Sequence, residues 1–245
     1  MAIKPILFNT EMVKAILDGR KTQTRRLVKP HYHDGDAGFN VVTMAKTGAF
    51  CYIEYYDEYE RSTERRMNPP YNVDDILWVR ETWCKWWMPH GEWLYCYKAS
   101  EQDGNKRPTG PEYDDVWETI PWKPSIHMPK EAARIFLRVT GIRAERLQDI
   151  TDADALKEGV PQDDDFPMDS VYCPVCHGEG LHGAFHPVSL GYMEVDCEYC
   201  DTPVKRFSHL WNSVIKYDDM PRLGWEGNPF VWVIEFERTE QQTTF

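Results

Sequence analysis

Residues 16–26 read Ile-Leu-Asp-Gly-Arg-Lys-Thr-Gln-Thr-Arg-Arg, where an apolar helical pattern gives way to a run of cations. Apolar residues before this stretch recur at helical spacing, which predicts a helix over residues 11–18. Thr10 is the expected N-cap, and Gly19 is placed to end the helix in a left-handed conformation. The helix therefore delivers the chain directly into the cationic stretch.

The cationic segment, residues 20–29, contains no acid, although the whole chain carries a formal net charge of −12. Its cations are Arg20, Lys21, Arg25, Arg26 and Lys29. Two interpretations stay open here. The segment is either a solvated strand ion-paired to the acidic body, or an anion site for phosphate or a nucleotide, since arginine offers bidentate donors. If it is extended, Thr22 and Thr24 share one face.

The rest of the sequence predicts strands separated by short helices. The strands are expected at residues 3–8, 49–56, 76–83, 93–98, 134–142 and 230–237. Helices are expected from Thr151 to Gly159 and over residues 205–215. Because strand and helix do not alternate regularly, this pattern favours an α+β domain or a small barrel.

The motif at residues 16–26 resembles the opening motif of the ASCH family, a branch of the PUA-like superfamily. Further segments resemble phage and prophage members in the same order along the chain. They are residues 75–81 (Asp-Ile-Leu-Trp-Val-Arg-Glu), 122–129, 147–159 and 228–236, with Asp74 where the family usually has glycine. The resemblance implies a PUA-like β-barrel with flanking short helices and a cleft of nucleoside size.

The resemblance also implies functional residues. In small bacterial members that hydrolyse N4-acetylcytidine, the residues matching Lys21, Thr24 and Glu158 are the proposed catalytic set. Arg26 is a candidate donor to the developing oxyanion. The residues expected to bind the ligand are Arg20, Thr22, Arg25, Trp78 and Arg80. The expected partner is therefore RNA or a modified nucleoside.

Two reactions fit these residues. For amide hydrolysis, the Thr24 hydroxyl attacks the acyl carbon, neutral Lys21 acts as its base, and Glu158 protonates the leaving amine. A neutral lysine needs a pKa far below the ordinary value of about 10.4, which burial and neighbouring arginines favour. For metal-independent RNA cleavage, Lys21 and Arg26 stay charged to stabilise the charge on phosphorus, and Glu158 acts as base toward the 2′-hydroxyl.

Four of the seven cysteines form two Cys-x-x-Cys pairs. Cys173 and Cys176 are separated from Cys197 and Cys200 by 20 residues. Four thiolates at this spacing are typical of a structural zinc site, and a disulfide or free thiols are the alternative. The sequence therefore predicts a zinc-ribbon segment at residues 167–203, inserted into an ASCH body formed by residues 1–166 and 204–245.

Charge and hydropathy exclude some classes of function. The net charge of −12 argues against a non-specific binder of nucleic acid, because the summed field repels phosphate. No apolar run approaches the ~18 residues of a membrane helix, and no secretory leader is recognised. We expect a cytoplasmic protein of a bacterial host cell that does not contact membranes. A non-catalytic protein that docks a protein partner through the cysteine segment is the alternative of another class.

Overall fold

A computed structural model describes residues 1–43, 51–87, 93–100, 121–160, 173, 175–176, 181–186 and 191–240. The chain divides into two compact units. The first unit comprises Met1–Gly19, Tyr71–Thr140 and Phe236–Phe245, and the second comprises Arg20–Pro70 and Gly141–Glu235. None of the helices in the described ranges is long and apolar enough to span a bilayer. The sequence predicts a loop at residues 99–115, which are rich in Gly, Pro and Asp, and a linker at residues 161–170, and both segments lie almost entirely outside those ranges.

Strands dominate the described structure. They are β1 (Ile3–Leu7), β2 (Gln23–Leu27), β3 (Gly38–Thr43), β4 (Cys51–Tyr56), β5 (Ser62–Met67), β6 (Ile76–Arg80), β7 (Trp83–Trp87), β8 (Trp93–Tyr97), β9 (Phe136–Arg146), β10 (Leu181–His186), β11 (Gly191–Asp196) and β12 (Phe230–Thr239). The α-helices are α1 (Thr10–Leu17), α2 (Asp152–Lys157), α3 (Pro203–Ser213) and α4 (Met220–Leu223). Short 3-10 turns lie at Lys98–Ser100, Ser125–His127, Lys130–Ala132, Leu147–Asp149 and Tyr217–Asp219.

The largest sheet has five strands in the hydrogen-bonded order β1-β6-β9-β12-β2. Strand β1 is parallel to β6, whereas β2 is antiparallel to β12, with Thr24 opposite Ile234. Strands β3-β4-β5 form a separate sheet, and β7-β8 and β10-β11 form hairpins. The predicted α+β class is confirmed. Within the described residues the sheets are open, so the barrel closure implied by the family resemblance is not seen there.

Helix α1 begins one residue earlier than predicted. Asn9, rather than Thr10, is the N-cap, because its side-chain oxygen accepts a hydrogen bond from the Met12 amide at 2.8 Å. Asparagine and threonine both cap well, and apolar periodicity does not distinguish two adjacent capping residues. Gly19 follows the helix with φ +77°, as expected, and the chain then enters β2.

The Asn9 cap can be tested by substitution. Asn9→Ala is expected to lower the free energy of unfolding by about 1 kcal/mol, because the Met12 amide loses its acceptor. Thr10→Ala, the matched control, changes a residue inside the first turn and should change that free energy by less than about half as much. Urea denaturation of both variants measures the difference. A larger loss for Thr10→Ala would show that threonine is the cap after all.

In the first unit, the segment predicted as a single strand over residues 76–83 is two strands. Strand β6 ends at Arg80, and β7 begins at Trp83. Between them Glu81 is buried, and both of its carboxylate oxygens accept hydrogen bonds from Arg134 at 2.8 Å. A buried carboxylate needs such a partner, and this fixed contact interrupts the ladder that apolar patterning alone would have continued.

In the second unit, the core forms among helices α2 and α3, strand β12 and the 3-10 turn at Leu147–Asp149. Its buried members are Leu147, Ile150, Ala155, Val160, Phe207, Trp211, Val231 and Val233. Helix α2 is capped at Thr151, whose hydroxyl accepts from the Asp154 amide at 3.2 Å, as predicted. It ends at Glu158, and Gly159 follows with φ +87°. Thr151 and Gly159 therefore set the two ends of α2 and, with them, the position of Glu158.

Candidate functional site

The cationic segment forms the edge strand β2 and a short backbone contact with the end of α2. Lys21 and Glu158 form an isolated antiparallel bridge. The Thr22 amide donates a hydrogen bond to the Lys157 carbonyl at 2.9 Å. From Gln23 onward the strand pairs with β12. Backbone hydrogen bonds thus hold Lys21 beside Glu158, although 137 residues separate them in sequence.

The centre of the site is a buried charged triplet, Lys21, Arg25 and Glu158. Lys21 Nζ donates to Glu158 Oε2 at 2.9 Å and to the Glu158 carbonyl oxygen at 2.8 Å. Arg25 Nη1 donates to the other carboxylate oxygen, Glu158 Oε1, at 3.0 Å. The exposed fractions of Lys21, Arg25 and Glu158 are only 2%, 5% and 4%. Each oxygen of the Glu158 carboxylate therefore faces its own cation.

A second group of acids surrounds Arg25. Arg25 Nη2 donates to Glu145 Oε1 at 2.5 Å and lies 3.8 Å from Asp154 Oδ2. Arg143 supports Glu145, donating to its Oε2 at 2.8 Å, and also donates to Glu235 Oε1 at 2.6 Å. Glu145 of β9 and Asp154 of α2 therefore hold the guanidinium of Arg25 in one orientation.

Burial lowers the pKa of Lys21 below its ordinary value, because desolvation disfavours the ammonium. The charge and hydrogen bond of Glu158 oppose this effect and raise the pKa, whereas Arg26 and Arg25 lower it further. The net direction is downward. A lowered pKa increases the fraction of neutral amine near neutral pH, which a general base requires.

The cations of the segment at residues 20–29 differ in burial and in their partners. Lys21 and Arg25 are ion-paired to acids, as the first interpretation held, but they are buried, so a solvated strand is wrong for these two residues. Arg20 is half-buried and its Nη1 donates to the Gly159 carbonyl at 3.0 Å. Lys29 is exposed.

Thr24 and Arg26 occupy β2 beside the charged triplet. Alternation along the strand places them on the face opposite to Arg25. Thr24 is buried whereas Thr22, which precedes the strand, is exposed. Direct hydrogen bonds join Lys21 to Glu158, and Arg26 acts on Lys21 through its charge.

Trp78 and Arg80 belong to the first unit, whereas the charged triplet belongs to the second. The Arg80 guanidinium carbon lies 5.3 Å from the centre of the Trp78 ring. Arg80 Nη2 donates to the Ile126 carbonyl, and Arg80 Nε is buried without a hydrogen-bond partner. These contacts describe a local stack of Arg80 on Trp78 within the first unit.

The four cysteines of the two Cys-x-x-Cys pairs converge. Cys173, Cys176, Cys197 and Cys200 are all buried, and their sulfur atoms lie within 4.8 Å of one another. Cys173 Sγ is 3.7 Å from Cys197 Sγ, and Cys176 Sγ is 3.3 Å from Cys200 Sγ. Disulfide sulfurs lie about 2 Å apart, so all four thiols are free. The cluster could hold a metal ion.

Sequence reasoning missed several residues of the site. Arg25 was expected to bind ligand, and its contact with Glu158 and its partners Glu145 and Asp154 were not anticipated. Gln23 is fully buried, and its Nε2 donates to the Asp154 carbonyl at 3.1 Å. The sequence held only a weak signal for these contacts, an excess of acids in a chain with one compact cluster of cations.

Comparison of this chain with protein-family models, with curated proteins and with solved structures finds no match. The resemblance to the ASCH family therefore stays an expectation carried by the motifs. The charged triplet and the four-cysteine cluster rest instead on contacts observed in the structure.

Proposed function

We propose that this protein is an ASCH-type member of the PUA-like superfamily that binds a modified nucleoside, free or within RNA, and hydrolyses its N4-acyl amide. The observation that carries the proposal is the buried pair of Lys21 and Glu158, two residues that match the family's proposed catalytic set. Burial lowers the pKa of Lys21, as a base requires. In this proposal the five-stranded sheet is the core of the PUA-like fold.

In this proposal the Thr24 hydroxyl attacks the acyl carbon. Its proton passes to the neutral amine of Lys21, which precedes β2 and so is not held to the face of Arg25 by strand alternation. Arg26 donates hydrogen bonds to the oxyanion that forms. The carbon–nitrogen bond then breaks, and the Lys21 ammonium returns its proton to the leaving amine. In the second half of the reaction, Lys21, neutral again, accepts a proton from the water that attacks the acyl carbon. The bond between this carbon and the Thr24 oxygen then breaks, and the Lys21 ammonium returns the proton to that oxygen as the carboxylic acid leaves. Glu158, held by Arg25, keeps the Lys21 side chain in place and stabilises its ammonium form between the two proton transfers.

The charge balance of the chain favours a small substrate. A net charge of −12 repels a long polyanion, whereas a nucleoside carries no phosphate to repel. Binding of the substrate should therefore change little between low and physiological salt. A steep loss of affinity with added salt would instead favour recognition of an RNA polymer.

We infer that the metal of the four-cysteine cluster is zinc. In a tetrahedral zinc–thiolate site with bonds of about 2.3 Å, neighbouring sulfurs lie about 3.8 Å apart, close to the sulfur–sulfur distances here. Four protein ligands close the coordination sphere, so the site is structural rather than catalytic. Because free thiols persist in reducing compartments, we place the protein in the cytoplasm.

Hydrolysis of N4-acetylcytidine by the wild type and by Lys21→Ala tests the proposal. The wild type should release cytidine, and the variant should lose at least about a hundredfold in rate, as expected when a general base is removed. Lys29→Ala, the matched control, replaces an exposed lysine of the same segment and should keep the wild-type rate.

The other outcomes of this assay separate the alternatives. If Lys21→Ala hydrolyses N4-acetylcytidine at the wild-type rate, Lys21 is not the general base. If the wild type leaves N4-acetylcytidine intact but cleaves RNA and not DNA, the protein is a ribonuclease. If neither substrate is turned over, the non-catalytic interaction protein is favoured.

The pH dependence of kcat/KM gives an independent prediction. The rate should rise with pH by about tenfold per pH unit and level off below pH 10.5, the ordinary pKa of lysine, because only the neutral amine accepts a proton. Arg26 lowers the pKa of Lys21, so Arg26→Gln should move this rise to higher pH. A rise centred at or above pH 10.5 in the wild type, or an unshifted one in Arg26→Gln, contradicts the assignment of Lys21 as base.

A further inference from the structure

Helix α3 is attached to the second cysteine pair through three consecutive carbonyl oxygens. Lys205 Nζ donates to the Glu198 carbonyl at 2.6 Å, and Arg206 Nε donates to the Cys200 carbonyl at 2.7 Å. The ring nitrogen Nε2 of His209 lies 2.9 Å from the Tyr199 carbonyl oxygen. Arg206 is buried, with 6% of its surface exposed. The backbone of the second cysteine pair therefore determines where the first two turns of α3 lie.

The residue after Arg206 contacts the charged triplet. Phe207 is buried, and its ring centre lies 5.7 Å from the guanidinium carbon of Arg25. A guanidinium over an aromatic face gains cation–π attraction, which increases when water is excluded. Phe207 therefore supports Arg25, and Arg25 holds Glu158 Oε1 at 3.0 Å.

A second contact joins α3 to the helix that ends at Glu158. The Val204 amide donates to Asp152 Oδ1 at 3.2 Å, at the start of α2. Ala155 of α2 and Phe207 of α3 belong to the same buried core. A displacement of α3 would thus act on Glu158 by two routes, through Arg25 and through α2.

We infer that helix α3 couples the four-cysteine metal site to the charged triplet, with Arg206 and Phe207 as positioning residues for Glu158. The inference rests on the proposed function for its consequence in catalysis. A bound metal fixes the backbone of the second cysteine pair. Arg206 positions α3 through its hydrogen bond to the Cys200 carbonyl, and Phe207 positions Arg25 through its ring. The metal site is then a part of the framework that orients the base Lys21.

The test compares metal-loaded wild type with metal-loaded Phe207→Leu. Leucine keeps the core apolar but removes the ring that faces Arg25. The first readout is the NMR signal of the Lys21 side chain in protein carrying ¹³C- and ¹⁵N-labelled lysine, assigned from Lys21→Ala. The second is the hydrolysis of N4-acetylcytidine. The matched control is Leu210→Val, which trims a partly buried residue of the same core.

In Phe207→Leu we expect one equivalent of bound metal, a shifted Lys21 signal, and a kcat lowered about ten- to a hundredfold with KM unchanged. The rise of kcat/KM with pH should move to higher pH, because Glu158, released by Arg25, favours the Lys21 ammonium. Arg206→Gln should shift the Lys21 signal in the same direction with its metal still bound. Leu210→Val should reproduce the wild-type signal and pH profile.

The inference is overturned if the Lys21 signal and pH profile of Phe207→Leu and Arg206→Gln coincide with those of Leu210→Val. A failure of the proposed function looks different, because the wild type would then not hydrolyse N4-acetylcytidine while the Lys21 signal still responded to Phe207→Leu. If Phe207→Leu loses both its metal and its cooperative unfolding transition, Phe207→Met takes its place in the experiment, because methionine conserves more of the core volume.

Discussion

Removal of the metal from Cys173, Cys176, Cys197 and Cys200 is expected to unfold the segment around the cysteines and to loosen α3. In zinc-finger peptides, metal binding supplies about 10–16 kcal/mol, and most of that energy drives folding. The four buried sulfurs form a core cluster of their own, and among the residues that the structure describes only one partly buried apolar side chain, Val175, packs against it. Without metal, little apolar burial remains to hold the cysteine pairs together.

Metal analysis and hydrogen exchange measure this effect. Purified protein should contain one equivalent of zinc, and a chelator should strongly accelerate amide exchange in residues 191–213. Cys51→Ala, the matched control, changes a buried cysteine outside the cluster and should leave the zinc content at one equivalent. Less than about half an equivalent of zinc in never-chelated protein, or unchanged exchange after its removal, contradicts the metal assignment.

Replacement of Glu158 by glutamine is expected to lower the free energy of unfolding by about 3–5 kcal/mol. The substitution removes the anion between two buried cations, Lys21 and Arg25, and Arg25 alone keeps other acids, Glu145 and Asp154. An ammonium left buried without its counterion carries most of this destabilisation. Urea denaturation gives the size of the loss.

Two further variants sharpen this prediction. Glu11→Gln, the matched control, breaks the exposed ion pair with Lys14 and should change the free energy of unfolding by less than about 1 kcal/mol. The double variant Lys21→Met with Glu158→Gln should recover part of the loss, because the uncompensated ammonium is gone. A loss for Glu158→Gln no larger than that for Glu11→Gln would mean that the charged triplet is not buried in solution.

Local patterns in the sequence predicted the local structure well. The periodicity before Gly19 and the cap at Thr151 each depend on neighbours within a few residues, and the predicted helix ends at Gly19 and Thr151 are confirmed. The two Cys-x-x-Cys pairs, 20 residues apart, were recognisable from their spacing, and the structure confirms that the four cysteines converge. The error of one residue at Asn9 arose because two adjacent residues are both good caps.

Long-range contacts were much harder to predict. The family resemblance named Lys21 and Glu158, but no local pattern connects Arg25 with Glu145, which lies 120 residues away. The interruption between β6 and β7 depends on Glu81 finding Arg134, a contact that apolar alternation does not encode. Sheet order and strand pairing are likewise set by tertiary packing, so the local patterns did not predict the order β1-β6-β9-β12-β2 of the open sheet in the described residues.

The sequence separation of 137 residues between Lys21 and Glu158 has a consequence for synthesis of the chain. At about 5–20 residues per second, Lys21 precedes Glu158 out of the ribosome by roughly 7–27 s. During that interval Lys21 and Arg25 have left the ribosome, but Glu158, the acid that later pairs with both of them, has not. The nascent chain therefore attracts ribosomal RNA most strongly early in translation, when its net charge is positive. The net charge becomes negative as the acidic remainder of the chain is made. High contact order also makes the charged triplet one of the last features to form.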